Sequence, residues 1–243
     1  MRSGNPVLDE EEFKKEAALK LEGERMTVSG TVNKTFVLFI GLMITATWAW
    51  MNPMQSPIIL IGSIVLALVV GLITAFNKRY SPITAPIYAL VEGVVLGSIS
   101  VRMEENYPGI VGQAIGLTLA IFFALLIAYR SGLIRATENF KLMVVSATLG
   151  IMLLYLVNFA LLLFFDTRVS MIHESGFAGI MFSTFVCILA ALNLVLDFDF
   201  IEQGEKLGAP KYMEWYGAFG LMVTLIWLYM EILRLLAKSR RRK

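Results

Sequence analysis

Two carboxylates sit where a long apolar run ends. From Phe177 the chain is almost continuously hydrophobic until Asn193-Leu194-Val195-Leu196-Asp197-Phe198-Asp199-Phe200-Ile201-Glu202, which places Asp197 and Asp199 where hydrocarbon gives way to water. Ionisable groups at that depth are costly to insert and by default mark ion or proton pathways. Asp197 follows Asn193 by one helical turn and shares its face, whereas Asp199 points elsewhere, toward the side of Glu202. The two aspartates therefore do not form one bidentate site on a single helix. A dyad needs an acid from another span, and the candidates are Glu214, Glu231 and Glu92. Glu92 lies midway along an apolar segment, where an acid costs roughly 2.5–3.5 kcal/mol on insertion scales. It must face the interior, either as a neutral acid bonded to a neighbouring helix, for instance at Asn158 or Tyr155, or as an ion-relay residue. Asp199, with Glu202 and Glu205, also reads as a solvated acidic helix end.

The elements that carry these acids are membrane spans. The chain is 57% hydrophobic and 16% charged, with a mean hydropathy of +0.71. That is far from the composition of a soluble domain. About 20 apolar residues cross a bilayer as a helix, and seven segments approach that length: 35–51, 58–76, 83–101, 111–129, 142–165, 177–200 and 213–237. The expected fold is all-α, a polytopic bundle occupying 35–237, with a polar tail over 1–34 and a basic tail over 238–243. The first apolar run is expected to be a retained span rather than a cleaved signal. Proline and glycine break the connections at Pro53, Pro57, Pro82, Pro86, Pro108, Gly109, Gly208 and Pro210.

Within the polar tail, 9–25 reads as a short charged helix laced by Glu10/Lys14, Glu11/Lys15 and Glu16/Lys20, a surface that a membrane partner could use. Small residues mark close helix approach at Ala89, Gly93 and Gly97, and at Gly112 and Gly116. Basic residues concentrate on the N-terminal side of the spans, which predicts a cytoplasmic N-terminus. Seven crossings would then carry Lys238, Arg240, Arg241, Arg242 and Lys243 to the opposite side, against the same rule. The last segment, with Thr224, Glu231 and Arg234, is the least lipid-like and should be shielded by the others.

Several chemistries lack their residues. The one histidine, His173, reads as a solvated loop residue, and the one cysteine, Cys187, allows neither a disulfide framework nor a cysteine metal site. No nucleophile elbow, zinc-protease helix or phosphate loop is present, so no enzyme and no cofactor is expected. The basic C-terminus adjoins a span and suits lipid headgroups as well as nucleic acid, so no nucleic-acid partner is expected.

Five stretches together resemble the bacterial branch of the Bax inhibitor-1/YccA-like membrane proteins. They are Asn5-Pro6-Val7-Leu8, 26–35 (Met-Thr-Val-Ser-Gly-Thr-Val-Asn-Lys-Thr), 88–100 (Tyr-Ala-Leu-Val-Glu-Gly-Val-Val-Leu-Gly-Ser-Ile-Ser), 194–202 around Asp197, and 227–236 (Trp-Leu-Tyr-Met-Glu-Ile-Leu-Arg-Leu-Leu). The resemblance implies a bundle whose last helix is enclosed by the other six, residence in a bacterial inner membrane, and a pH-sensitive calcium leak controlled by two acids. Asp197 matches the first acid. The second falls at Glu231 when the local pattern is matched and at Thr224 when the stretch around Arg234 is the anchor, with Glu214 as a third partner.

Calcium takes carboxylate and carbonyl oxygens, and two nearby carboxyls titrate as a pair, so a gated cation pathway is chemically coherent. The alternatives are a non-transporting membrane protein that regulates another membrane protein or protease through its N-terminal tail, and a proton-coupled transporter.

Overall fold

The computed structural model describes residues 25–52, 57–167, 169, 174 and 176–241. The charged helix expected over 9–25 and the loop histidine His173 lie outside these residues. Seven long helices follow one another: α1 (Val28–Met51), α2 (Pro57–Phe76), α3 (Ser81–Asn106), α4 (Ile110–Arg130), α5 (Glu138–Phe165), α6 (Phe177–Lys206) and α7 (Met213–Arg241). All seven are long and apolar enough to cross a membrane. The all-α, polytopic architecture expected from hydropathy is the one observed, and no strand occurs among the described residues.

Local chemistry sets the helix ends. Thr27 caps α1 in an extended conformation and accepts the Gly30 amide, and Thr137 does the same for α5 with Phe140. Gly109 opens α4 at φ 79°, a left-handed conformation that glycine adopts without a Cβ penalty. The apolar segment predicted at 35–51 is only part of α1, which begins at Val28 because this cap lies upstream of the hydrocarbon-like residues.

The chain divides into two compact units. Among the described residues, one comprises those from Arg25 to Asn106 together with Asp197–Val223, the other those from Tyr107 to Leu196 together with those from Thr224 to Arg241. In the first, α3 packs against α1 and α2. The Gly93 and Gly97 ridge makes this possible: a Cβ on Gly93 would stand 2.3 Å from the Leu42 carbonyl oxygen, and one on Gly97 2.3 Å from that of Ala46. The ridge expected at Gly112 and Gly116 behaves differently, because no atom of another element among the described residues lies within 4 Å of a Cβ added there. Glycine spacing alone cannot tell a packed ridge from an open one. In the second unit, Val144, Ile151, Val186, Leu189 and Leu196 form the buried cluster between α5 and α6.

Burial separates interior helices from lipid-facing ones. Of the most apolar stretch of each helix, 56% is buried in α6 and 50% in α7, against 6% in α5. The last helix is shielded along its length, as its polar content requires, and α6 shares that interior role. At 29 residues α7 is one continuous helix, about 43 Å long at 1.5 Å per residue. Ser81, at the start of α3, donates to the Tyr212 carbonyl just before α7, while Arg240 at the far end of α7 donates to the carbonyl of Pro108, just after α3. The last segment is thus a single continuous helix, long enough to cross a membrane.

Candidate functional site

The acids singled out in the sequence fall into distinct settings. Asp197 is fully buried on α6, and Asn193, one turn earlier, is 2% exposed. The Asn193 amide is committed to Thr148 Oγ1 on α5 and to the Leu189 carbonyl, both at 2.9 Å. Asp199, on another face of α6, is half-buried. Below it, Glu202 pairs with Lys206 one turn on, and Glu205 accepts the Val28 amide at 2.9 Å.

Glu214 is a clasp within the first unit. Its carboxylate has no exposure, yet it is held on several sides: Lys34 Nζ lies 2.6 Å from Oε2, Lys211 Nζ lies 3.6 Å from Oε1, and the Thr27 amide and hydroxyl both donate to Oε1 at 3.0 Å. The cap of α1 is thereby completed by the first turn of α7. Arg25 and Met26 join the same clasp, since the Met26 amide donates to the Ala209 carbonyl at 2.7 Å and Arg25 pairs with Pro210. A charge enclosed this way persists because charge-assisted bonds replace its hydration.

Glu231 forms a second closed arrangement, in the other unit. It is 2% exposed and accepts from Tyr155 at 2.9 Å and from Arg234 Nη1 at 2.9 and 3.1 Å; Arg234 also donates to the Tyr155 hydroxyl at 2.7 Å and lies over its ring. Tyr155, weighed in the sequence as a partner of Glu92, is thus engaged with Glu231, and Asn158 accepts from the Val169 amide. One turn beyond Arg234, Lys238 is 5% exposed and donates to the Gly179 carbonyl and Ser183 Oγ.

Glu92 differs from these. It is half-buried on α3, and among the described residues none gives it a hydrogen bond or an ion pair. No group of three or more His, Cys, Asp or Glu side chains among those residues is arranged as metal ligands.

Sequence reading found the acids and missed their cations. Arg234 was legible as an i,i+3 partner of Glu231. Nothing local connects Lys34 or Thr27 with Glu214, which is 187 residues from Thr27.

The family described as Bax inhibitor 1 like matches residues 5–241 of this chain. The chain belongs to that family. Neither a curated protein nor a solved structure matches it. As a Bax inhibitor 1-like protein with seven spanning helices, it is an integral membrane protein, and its interior helices α6 and α7 carry three wholly or almost wholly buried acids, Asp197, Glu214 and Glu231.

Proposed function

We propose that this Bax inhibitor 1-like protein is a pH-sensitive pathway for cations, calcium foremost, with Asp197 as the acid of its gate. The observation that carries the reading is the complete burial of Asp197 on an interior spanning helix. It lies nine residues from the end of α6, about 14 Å along the axis. Protonated, such a carboxyl is a neutral hydrogen-bonding group; deprotonated, it places a negative charge in a low-dielectric setting that a cation stabilises. Calcium suits it as a hard ion that takes oxygen ligands. The carboxylates of Glu214 and Glu231 already answer to Lys34 and Arg234. Either becomes a gate partner of Asp197 only by giving up that cation. Their role in this reading is to hold α7 in place.

The N-terminus is cytoplasmic and the membrane is a bacterial inner membrane. The preponderance of Lys and Arg in the connections on the N-terminal side, among them Lys78, Arg79, Arg130, Arg135, Lys206 and Lys211, supports that orientation. The C-terminal cations run against the rule, but Lys238, Arg240 and Arg241 are tied by hydrogen bonds to Gly179, Ser183, Pro108, Gln113 and Tyr107.

The test is calcium uptake into liposomes containing the purified protein, scanned across pH, with Asp197→Asn beside wild type. The expected result is a pH-dependent flux that the substitution abolishes or locks at one level. A flux with unchanged pH dependence in the variant removes Asp197 from the gate. Folded protein that passes no calcium above empty liposomes at any pH overturns the pathway and favours a regulatory protein acting through its N-terminal tail.

A further inference from the structure

Between the buried carboxyl of Asp197 and the α6–α7 connection stands a seal made by three separate segments of the first unit. Ile201 follows Asp197 by one turn on the same face of α6, on the side of that connection. Three apolar tips converge on the point where a Cβ of Gly217 on α7 would stand: Ile201 Cγ1 at 3.3 Å, Thr31 Cγ2 from α1 at 3.3 Å and Met26 Cε at 3.5 Å. All three side chains are buried. The junction is therefore dry, and it lies one turn, about 6 Å along the axis, from Asp197.

Met26 is the one of the three that no helix carries. It belongs to a short strap over 25–27, ahead of α1. Hydrogen bonds hold this strap and the residue after it at three points: the Met26 amide donates to the Ala209 carbonyl at 2.7 Å, the Thr27 amide and hydroxyl to Glu214 Oε1 at 3.0 Å, and the Val28 amide to Glu205 Oε1 at 2.9 Å. The acceptors lie at the end of α6, in the connection and in the first turn of α7, so the strap spans the whole corner. Glycine at 217 completes the arrangement. Without a side chain of its own there, α7 leaves the seat to Met26, whose unbranched thioether chain fills irregular gaps. A seal between two helices parts only when a helix moves; this one parts when the strap lifts.

We infer that Met26 is the plug of the pathway and the strap over 25–27 its lid, closing Asp197 off from the aqueous side at the α6–α7 connection. This rests on the cation-pathway reading and names the contact that opens before an ion reaches Asp197. Glu205 and Glu214 keep the lid shut. Residues 1–24 lead directly into the strap, so tension on them acts on the plug.

Three measurements on the full-length protein test it. The bond from Met26 to Ala209 makes Arg25 and Pro210 a non-hydrogen-bonded antiparallel pair, with Cα atoms about 4.5 Å apart, within the span of a disulfide. In a Cys187→Ala background, Arg25→Cys with Pro210→Cys should lose calcium flux from loaded liposomes on oxidation and regain it with reductant. Met26→Ala should raise flux by about tenfold at the pH where wild type conducts least, a decade being about 1.4 kcal/mol. Independently of flux, the thiol introduced by Ile201→Cys in the Cys187→Ala background should react with a water-soluble alkylating reagent about tenfold faster once Met26→Ala is added, as read by peptide mass. Reduced protein that conducts no better than oxidised, while wild type conducts, overturns the inference and spares the pathway. So does Met26→Ala with unchanged flux, and if that variant does not fold the disulfide pair decides. Reactivity at position 201 that ignores Met26→Ala overturns the plug whatever the flux. No flux from any variant, with that reactivity raised, overturns the pathway and leaves the plug standing.

Discussion

Gly30→Ala should reverse its effect on stability according to what stands at position 214. Gly30 occupies the first turn of α1, three residues after its cap. A Cβ there would lie 2.1 Å from Glu214 Oε1, 2.3 Å from Cδ and 2.5 Å from Oε2. To reach ordinary contact at 3.4 Å the carboxylate must retreat by about 1.3 Å, which takes the two 3.0 Å bonds from Thr27 beyond hydrogen-bonding range. Hydrogen bonds to a charged group are worth about 1.5–3 kcal/mol each. Against this stands a gain of about 1 kcal/mol for alanine over glycine in a helix. The net loss is about 2 kcal/mol or more, which for a chain of this size lowers the melting temperature by about 5 °C or more. In a Glu214→Ala background the clash is absent and only the propensity remains, so Gly30→Ala should raise stability by up to about 1 kcal/mol. Cys187, the one cysteine, is buried, so its reaction with a fluorogenic maleimide during heating of the detergent-solubilised protein reports unfolding. A shift of the same sign in both backgrounds, or no loss in wild type, refutes the clasp.

The same thermal assay reads two further expectations. Arg234→Met leaves Glu231 buried without its cation and should cost about 3–5 kcal/mol, whereas Glu231→Met with Arg234→Met should recover most of that loss; equal destabilisation by the single and double variants would count against the ion pair as the cause. Gly93→Ala drives a methyl group onto a backbone carbonyl that no side-chain rotation can relieve and should cost about 1–3 kcal/mol. Gly112→Ala meets open space and should be neutral or gain up to about 1 kcal/mol, so equal losses at the two glycines would show that the packing of α1 on α3 is misassigned.

Much of the fold was legible in one dimension. Transfer into hydrocarbon is nearly additive along a helix, so seven runs of apolar residues sufficed to place seven spans and to mark the last as the one needing shelter, since Thr224, Glu231 and Arg234 have no place in lipid. The acids were found for the same reason: each interrupts a run that lipid alone would have kept apolar. Helix rotation and depth, which hydropathy does not encode, were decided only by the tertiary structure. Thr27 and Lys34 became part of Glu214's enclosure because the first turn of α7 packs onto the cap of α1. This is also why α1 begins at Val28 and not at the edge of its apolar run. Tyr155 went to Glu231 rather than Glu92, and Lys238, read as the start of a basic tail, turned inward to Ser183. The Gly93 ridge closed on a neighbouring backbone while the identically spaced Gly112 ridge did not. Sequence determined which residues carry charge into the membrane; packing determined which charges are answered, because an ion pair depends on distances of a few ångströms between helices that the chain itself separates by scores of residues.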